Sequence, residues 1–203
     1  MGKVIYDISM SLDGFIAGAN PRPEAGWGGL GEGGERLHDW GFNSADARNR
    51  EIEEALLASM GAVIVGRTTY NLSIPNWGAD GPTGAARLPT VVVSHGVPHD
   101  IPDGGVYTFV DSIEAAFETA KNAAGDKDVI IQGGNIAQQF ITRGLVDELF
   151  IHLVPVLFGS GTRLIEDLGG EHVQLETTEA IETKEAIHLR FRVINYETRQ
   201  TVG

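Results

Sequence analysis

The sequence predicts an α/β domain with a mixed sheet, built on helical crossovers and closed by an antiparallel hairpin. Three observations predict it. Short continuous apolar runs at Ala62 to Val65, Thr90 to Ser94 and Asp128 to Gln132 have the character of strands buried on both faces. Amphipathic helical patterns stand between them. Two late strand patterns, Val173 to Ile181 and Ala186 to Tyr196, face one another across Glu182 to Glu185.

Taken in order, Val4 to Ser9 has the β-branched and aromatic content of a first strand, and Asp13-Gly14 then supplies a turn. Pro21 to Gly34 is rich in glycine and reads as a long lid-like loop. Ala45 to Ser59 puts Ile52, Ala55, Leu56 and Ser59 on one helical face behind Ser44 as the cap, with Asp46, Glu51, Glu53 and Glu54 mostly turned to water. A helix capped by Asp111 carries Ile113, Ala116, Phe117 and Ala120 inward and stops at Gly125. Another opens near Asn135, buries Ile136, Phe140 and Ile141, and ends at Gly144. Glu148 to Leu157 supplies a further strand, with Pro155 inside it. With no repeat and no Pro- or Ser-rich linker, residues 1–203 read as a single domain.

Charge and composition narrow the chemistry. The chain has 28 acidic and 15 basic residues, a net charge of -13 that repels nucleic acid and anionic lipid. No apolar run approaches the roughly 20 residues needed to cross a bilayer, so no membrane partner is expected. The absence of cysteine removes thiol nucleophiles and thiolate metal sites, and together with an N-terminus lacking a signal-like segment it reads as cytoplasmic. No metal is expected: Gly96 and Pro98 interrupt the His95 and His99 pair, and His38, His152, His172 and His188 show no spacing of a ligand set or triad. No G-x-S-x-G nucleophile elbow occurs.

Three strand ends converge instead. Gly66-Arg67-Thr68-Thr69-Tyr70 follows a buried strand and starts a helix, where free amides, two hydroxyls and a guanidinium make a small anion site; a surface Arg beside capping threonines is the alternative. Gln132-Gly133-Gly134-Asn135-Ile136 runs from a strand through two glycines into a helix that Asn135 could cap, although Gly-Gly also simply turns a chain. Ser94-His95 ends a third parallel strand on the same carboxyl edge, where open α/β sheets bind ligands. The glycine loop matches G-x-G-x-x-G twice, at Gly26 and at Gly29, but it follows a Pro-rich stretch rather than a strand. Gly159-Ser160-Gly161-Thr162 lacks the lysine of a P-loop and reads as a tight turn.

The order of these segments resembles a known family. Ser11-Leu12-Asp13-Gly14, Val63 to Tyr70, Val91 to Ser94, Gln132 to Asn135, Gly144 to Leu149 and Pro155 to Gly161 are similar to the dihydrofolate reductase-like proteins. The similarity is greatest to the branch typified by the C-terminal reductase domain of the riboflavin-biosynthesis deaminase/reductase (RibD). The resemblance covers residues 3 to 196. It implies a dihydrofolate reductase-like, mostly parallel eight-stranded sheet that binds NADPH across its carboxyl ends. Carried over, Gly66, Arg67, Thr68 and Thr69 hold the pyrophosphate and adenosine side, and Ser94 and His95 lie near the 2'-phosphate. Gly133, Gly134, Asn135 and Ile136 wrap the diphosphate and nicotinamide ribose, and Ile16 and Ala17 contact the nicotinamide amide.

The expected activity is hydride transfer to a C=N or C=O carbon of a small, ring-containing substrate, by a homodimer. Asp13, beside the presumed nicotinamide, is the candidate proton donor, although Asp-Gly is equally an ideal turn. Gln132 stands where riboflavin-pathway reductases usually carry an acid, and only Asp39 or Asp46 could stand for the folate reductases' helical carboxylate. Trp27, Trp40, Phe42 and Trp77 are candidates to stack on the substrate ring, or else core residues. A nucleotide-binding module that has lost turnover is the rival reading.

Overall fold

The computed structural model describes residues 2–24, 26–170 and 172–197. β1 (Val4–Ser11), β3 (Met60–Gly66), β4 (Thr90–Val93), β5 (Tyr107–Val110), β6 (Asp128–Gln132) and β7 (Glu148–Val154) run parallel, while β9 (His172–Glu182) and β10 (Ile187–Glu197) form the antiparallel end. Across the sheet the order is β5-β4-β3-β6-β1-β7-β10-β9. A small pair, β2 (Phe15–Ala17) with β8 (Thr162–Arg163), lies apart from it. The helices are α1 (Asp39–Phe42), α2 (Ala47–Ser59), α3 (Arg67–Trp77), α4 (Ile113–Ala124) and α5 (Gly134–Ile141). Among the described residues no helix is long and apolar enough to cross a membrane.

Both faces of the parallel strands are covered, which is why their sequences are continuously apolar. Val4, Tyr6, Ile64 and Ile131 meet Ala116, Ala120, Ile136 and Phe140 of α4 and α5 on one face. Ile5, Val63, Val65 and Ile130 meet Ile52, Leu37, Trp40 and Tyr70 on the other. Fully burying side chains of this size stabilises the fold by about 1.5–3 kcal/mol each.

Several boundaries differ from the sequence reading for local reasons. The strand expected to reach Leu157 stops at Val154, before Pro155, which has no N–H to continue the ladder. Asp46, not Ser44, caps α2 by accepting from the Arg48 amide, and Ser112, not Asp111, caps α4 through the Ala115 amide. Ser44 is used elsewhere, donating to the Glu185 carboxylate. The inward face of α2 is Asn49, Ile52 and a half-buried Glu53, while Ala55 is exposed. The glycine loop is not shapeless: 3-10 turns at Gly28–Leu30 and Gly34–His38 fold back on β2, with the Gly18 amide donating to the Leu30 carbonyl at 2.8 Å. The short strands β2, β5 and β8 carry too few residues to show a period.

Candidate functional site

At the carboxyl end of β3 the chain passes straight into α3. Its N-cap, Gly66, offers no side chain, so the first-turn amides keep open positions. α5 begins the same way, from Gly133 at φ +104. The contrast is with α2 and α4, which start elsewhere and have side-chain caps. The Arg67 guanidinium reaches across to the end of β4, with Nη1 donating to Ser94 Oγ at 2.9 Å and to the Gly96 carbonyl at 2.7 Å. Its Nε donates to Asn71 Oδ1 at 2.8 Å.

Close approach ties the other expected segments to this edge. A Cβ on Gly133 would lie 2.5 Å from Thr69 Oγ1, one on Gly66 3.6 Å from Ile136 Cβ, and one on Gly134 3.0 Å from Ile16 Cδ1. The carboxyl edge therefore brings together Ile16, Gly66, Arg67, Thr69, Ser94, Gly133, Gly134 and Ile136. Ala17 lies beside it in the β2–β8 pair. Thr68 and His95 are exposed at the ends of β3 and β4. Asn135 is also exposed, but it does not cap α5: its Oδ1 accepts from Gln139 Nε2 on its own helix.

Asp13 is held as a turn clasp. Its carboxylate accepts from Ser11 Oγ at 2.7 Å and from the Phe158 and Gly159 amides. The Ser11 hydroxyl first, then those amides, draw its pKa down to about 2. A carboxyl ionised that readily is a poor proton donor near neutral pH, so the geometry favours the turn over the acid.

A second polar cluster lies inside the protein, on the face covered by α2, and sequence reasoning missed it. Asp7 Oδ1 is 3.0 Å from His152 Nε2, His152 Nδ1 is 2.7 Å from His188 Nδ1, and His188 Nε2 is 2.9 Å from Asn49 Oδ1. Trp40 covers it with its ring 4.1 Å from the His152 ring, and its Nε1 donates to Ser9 Oγ at 2.9 Å. Burial, then the His152 charge, pushes His188 down to about 4. The same causes in the same order push His38 down to about 4, and burial raises the Glu53 carboxyl. His38 stacks on Trp27, and Phe42 packs edge-on against that indole; both Trp27 and Phe42 are exposed. Trp40 and half-buried Trp77 are core residues. The legible signal was each histidine's place inside an apolar strand, at positions that antiparallel β7 and β10 put in register.

Two recesses lie away from this edge. One of about 990 Å³ is lined by Lys3, Lys121 and Arg190 among others, and one of about 400 Å³ lies between α2 and the hairpin. In the larger, Lys3 and Arg190 are already paired to Glu148.

The profile of the RibD C-terminal domain family matches residues 2–189. A protein from Shewanella sp. PV-4 assigned to riboflavin biosynthesis has a similar structure, with TM-score 0.68 and 23% identity over 95% of this chain and 99% of that one. Acinetobacter baumannii RibD matches with TM-score 0.63 and 18% identity over 96% of this chain, which spans 59% of that protein. The Thermotoga maritima diaminohydroxyphosphoribosylaminopyrimidine deaminase/5-amino-6-(5-phosphoribosylamino)uracil reductase matches with TM-score 0.63 and 14% identity, over 95% of this chain and 57% of that one. At these identities the likeness is one of fold. No curated protein matches.

Proposed function

We propose that this chain, which belongs to the RibD C-terminal domain family, is an NADPH-dependent reductase acting on a C=N or C=O group of a small ring-containing substrate. The observation that carries the reading is the pair of uncapped helix starts flanked by Arg67 and Ser94. Their amides and the guanidinium suit a phosphorylated coenzyme, and the absent Cβ atoms of Gly133 and Gly134 let Thr69 and Ile16 pack close against the start of α5.

When bound, NADPH supplies the hydride. Arg67 would trade the Gly96 carbonyl and Asn71 for the extra phosphate, with Ser94 and His95 beside it. The first turns of α3 and α5, through Thr68, Thr69, Asn135 and Ile136, would hold the diphosphate and ribose. Ile16 and Ala17 would fix the nicotinamide amide, and the glycine loop would exclude water. A riboflavin-pathway reductase is the first substrate class to test, and a pterin reductase the second. A cytoplasmic homodimer goes with this reading, since β9 is an open sheet edge and Leu175 and Ile187 are exposed nearby.

The test is a melting curve with NADPH and NADH, then NADPH oxidation with 5-amino-6-(5-phosphoribosylamino)uracil, a dihydropterin and a carbonyl panel. A higher Tm with NADPH and consumption with one compound supports a reductase. Binding without oxidation throughout favours the nucleotide-binding module, and a Tm moved by neither coenzyme ends both readings. Light scattering that finds a monomer at micromolar concentration removes the dimer.

A further inference from the structure

The glycine-rich segment between β2 and α1 has the composition of a mobile lid but the packing of a wall. One side is tied to the end of β2: the Gly18 amide donates to the Leu30 carbonyl and the Glu32 amide to the Ala19 carbonyl, each at 2.8 Å, and Asn20 Nδ2 donates to the Glu32 carboxylate at 3.0 Å. The other side is tied to α3. Asn76 Oδ1 accepts from the Gly26 amide at 2.6 Å while its Nδ2 donates to the Gly26 carbonyl at 2.7 Å, so one side chain pairs with the backbone as a neighbouring strand would. Between the two ties, a Cβ on Gly29 would lie 2.6 Å from the Leu72 carbonyl oxygen, and one on Gly18 would run into the Glu32 carbonyl. These glycines serve close approach, not looseness.

The anchored segment holds three rings together. The Trp27 and His38 planes are within 18° of parallel with centroids 6.0 Å apart, Phe42 meets the indole edge-on at 5.4 Å, and His38 and Phe42 are 6.3 Å apart. Leu37, the neighbour of His38, is fully buried and roots the group in the core. Trp27 is nevertheless 42% exposed and Phe42 69%. Apolar rings held in place yet left open to water mark a contact surface.

The size of that surface selects its occupant. Since a whole aromatic side chain covers about 150–250 Å², the open parts of Trp27 and Phe42 come to roughly 200 Å². Each partner in a stable protein interface gives about 800 Å². So small an area does not hold a second protein chain, but it covers one planar ring. Its place in the fold agrees: the segment leaves β2 directly after Ala17 and packs on α3, the two elements assigned above to the nicotinamide and phosphate ends of the coenzyme.

We propose that Trp27 and Phe42 form a preformed shelf on which the planar heteroaromatic ring of the substrate stacks, and that Asn76 is the positioning residue that holds the shelf ready. Stacking on one aromatic side chain is worth about 5–150-fold in affinity. Preorganisation adds to it, because a segment already tied on both sides loses little freedom when the ring arrives. This deepens the reductase reading and rests on it only for what becomes of the ring once bound.

Calorimetric titration of the full chain with pterin, lumazine and riboflavin, and with puckered 5,6-dihydrouracil as control, tests the shelf without coenzyme. At least one planar ring should bind and the control should not. Trp27→Ala and Phe42→Ala should each weaken that binding by ~10-fold or more, and Trp27→Phe should restore part of it, with the rise in Tm given by NADPH unchanged. A wild type that binds none of the planar rings, or affinities within twofold of wild type in both alanine variants, overturns the proposal. An equal loss of NADPH binding would put a ring of the coenzyme on the shelf and overturns it too. Asn76→Ala acts without touching the ring: exchange of the Gly26 amide, followed by NMR, should rise by ~10-fold or more and ring affinity should fall by ~5-fold. Asn76→Asp keeps the acceptor for that amide and should retain most of both. Full ring affinity with a released Gly26 overturns the preformed shelf. If the wild type binds no NADPH, the reductase reading fails while the ring titrations still decide the shelf.

Discussion

The coenzyme groove proposed at the carboxyl edge and the histidine chain beneath α2 use similar polar groups but hold them differently. In the groove, Arg67 bonds a hydroxyl, a loop carbonyl and an amide, and two helix starts offer amides that no side chain caps. Each of those partners can be exchanged for a ligand oxygen. In the chain, each ring nitrogen bonds another buried side chain, and a removed member leaves its neighbour without water to replace it. One region holds partners that a ligand could replace, the other holds partners with nothing to replace them.

The largest expected effect therefore falls on the chain. His152→Leu strips Asp7 and His188 of their partners together and should cost about 3–5 kcal/mol, read by urea unfolding. A loss below about 1 kcal/mol would show that the chain is as loosely held as the groove. Acid should act in the same direction. His38 and His188 have folded-state pKa values near 4, below the ordinary 6.5, so the unfolded chain binds more protons between those limits. Their contribution is complete above about 6.5 and is lost as pH falls towards 4. The wild-type Tm should drop across that window, and a flat profile would contradict neutral His38 and His188 in the folded protein.

Gly133→Ala comes next and acts on the groove. The position is at φ +104, and the new Cβ meets Thr69 Oγ1 at 2.5 Å, so strain of about 1–3 kcal/mol is expected. NADPH affinity should fall more than tenfold, because the methyl also narrows the start of α5. Unchanged affinity would remove Gly133 from the coenzyme site. Arg67→Ala should leave stability nearly unchanged and weaken NADPH binding by ~10–100-fold, the scale of one lost charge-assisted bond. NADH binding should change far less. Equal losses for both coenzymes would mean that Arg67 does not read the 2'-phosphate.

The same contrast decides what was legible in the sequence. Two parts of the groove are short strand-glycine-helix words, β3 into α3 and β6 into α5, and each places its residues by local geometry. That is why the nearness of Gly66, Arg67 and Gly133 to one sheet edge was legible from spacing, whereas Ile16 entered only through the family resemblance. Asn135 was misread as a cap because Gly133, two residues earlier, already ends the strand and turns the chain. The histidine chain is invisible to spacing: Asp7 and His152 are 145 residues apart and His188 and Asn49 139 apart. Only the sheet order, with β7 between β1 and β10, brings them together. The inward turn of Asn49 and Glu53 was lost for a related reason, since polar residues on an amphipathic helix are assigned to water by default.

Asp13 gives the smallest expected effect and the sharpest separation of the two regions. Its carboxylate ties the turn after β1 to the Phe158 and Gly159 amides. If it is a clasp, Asp13→Asn should change kcat less than about twofold, because an amide keeps one accepting oxygen for those amides and no proton is taken from it. The cost should appear only in the acid limb of stability. A folded pKa near 2 against an ordinary 3.8 means a contribution present above 3.8 and lost as pH falls towards 2, and the variant should lack that limb. A large fall in kcat for Asp13→Asn would make this carboxylate the proton donor instead of a clasp.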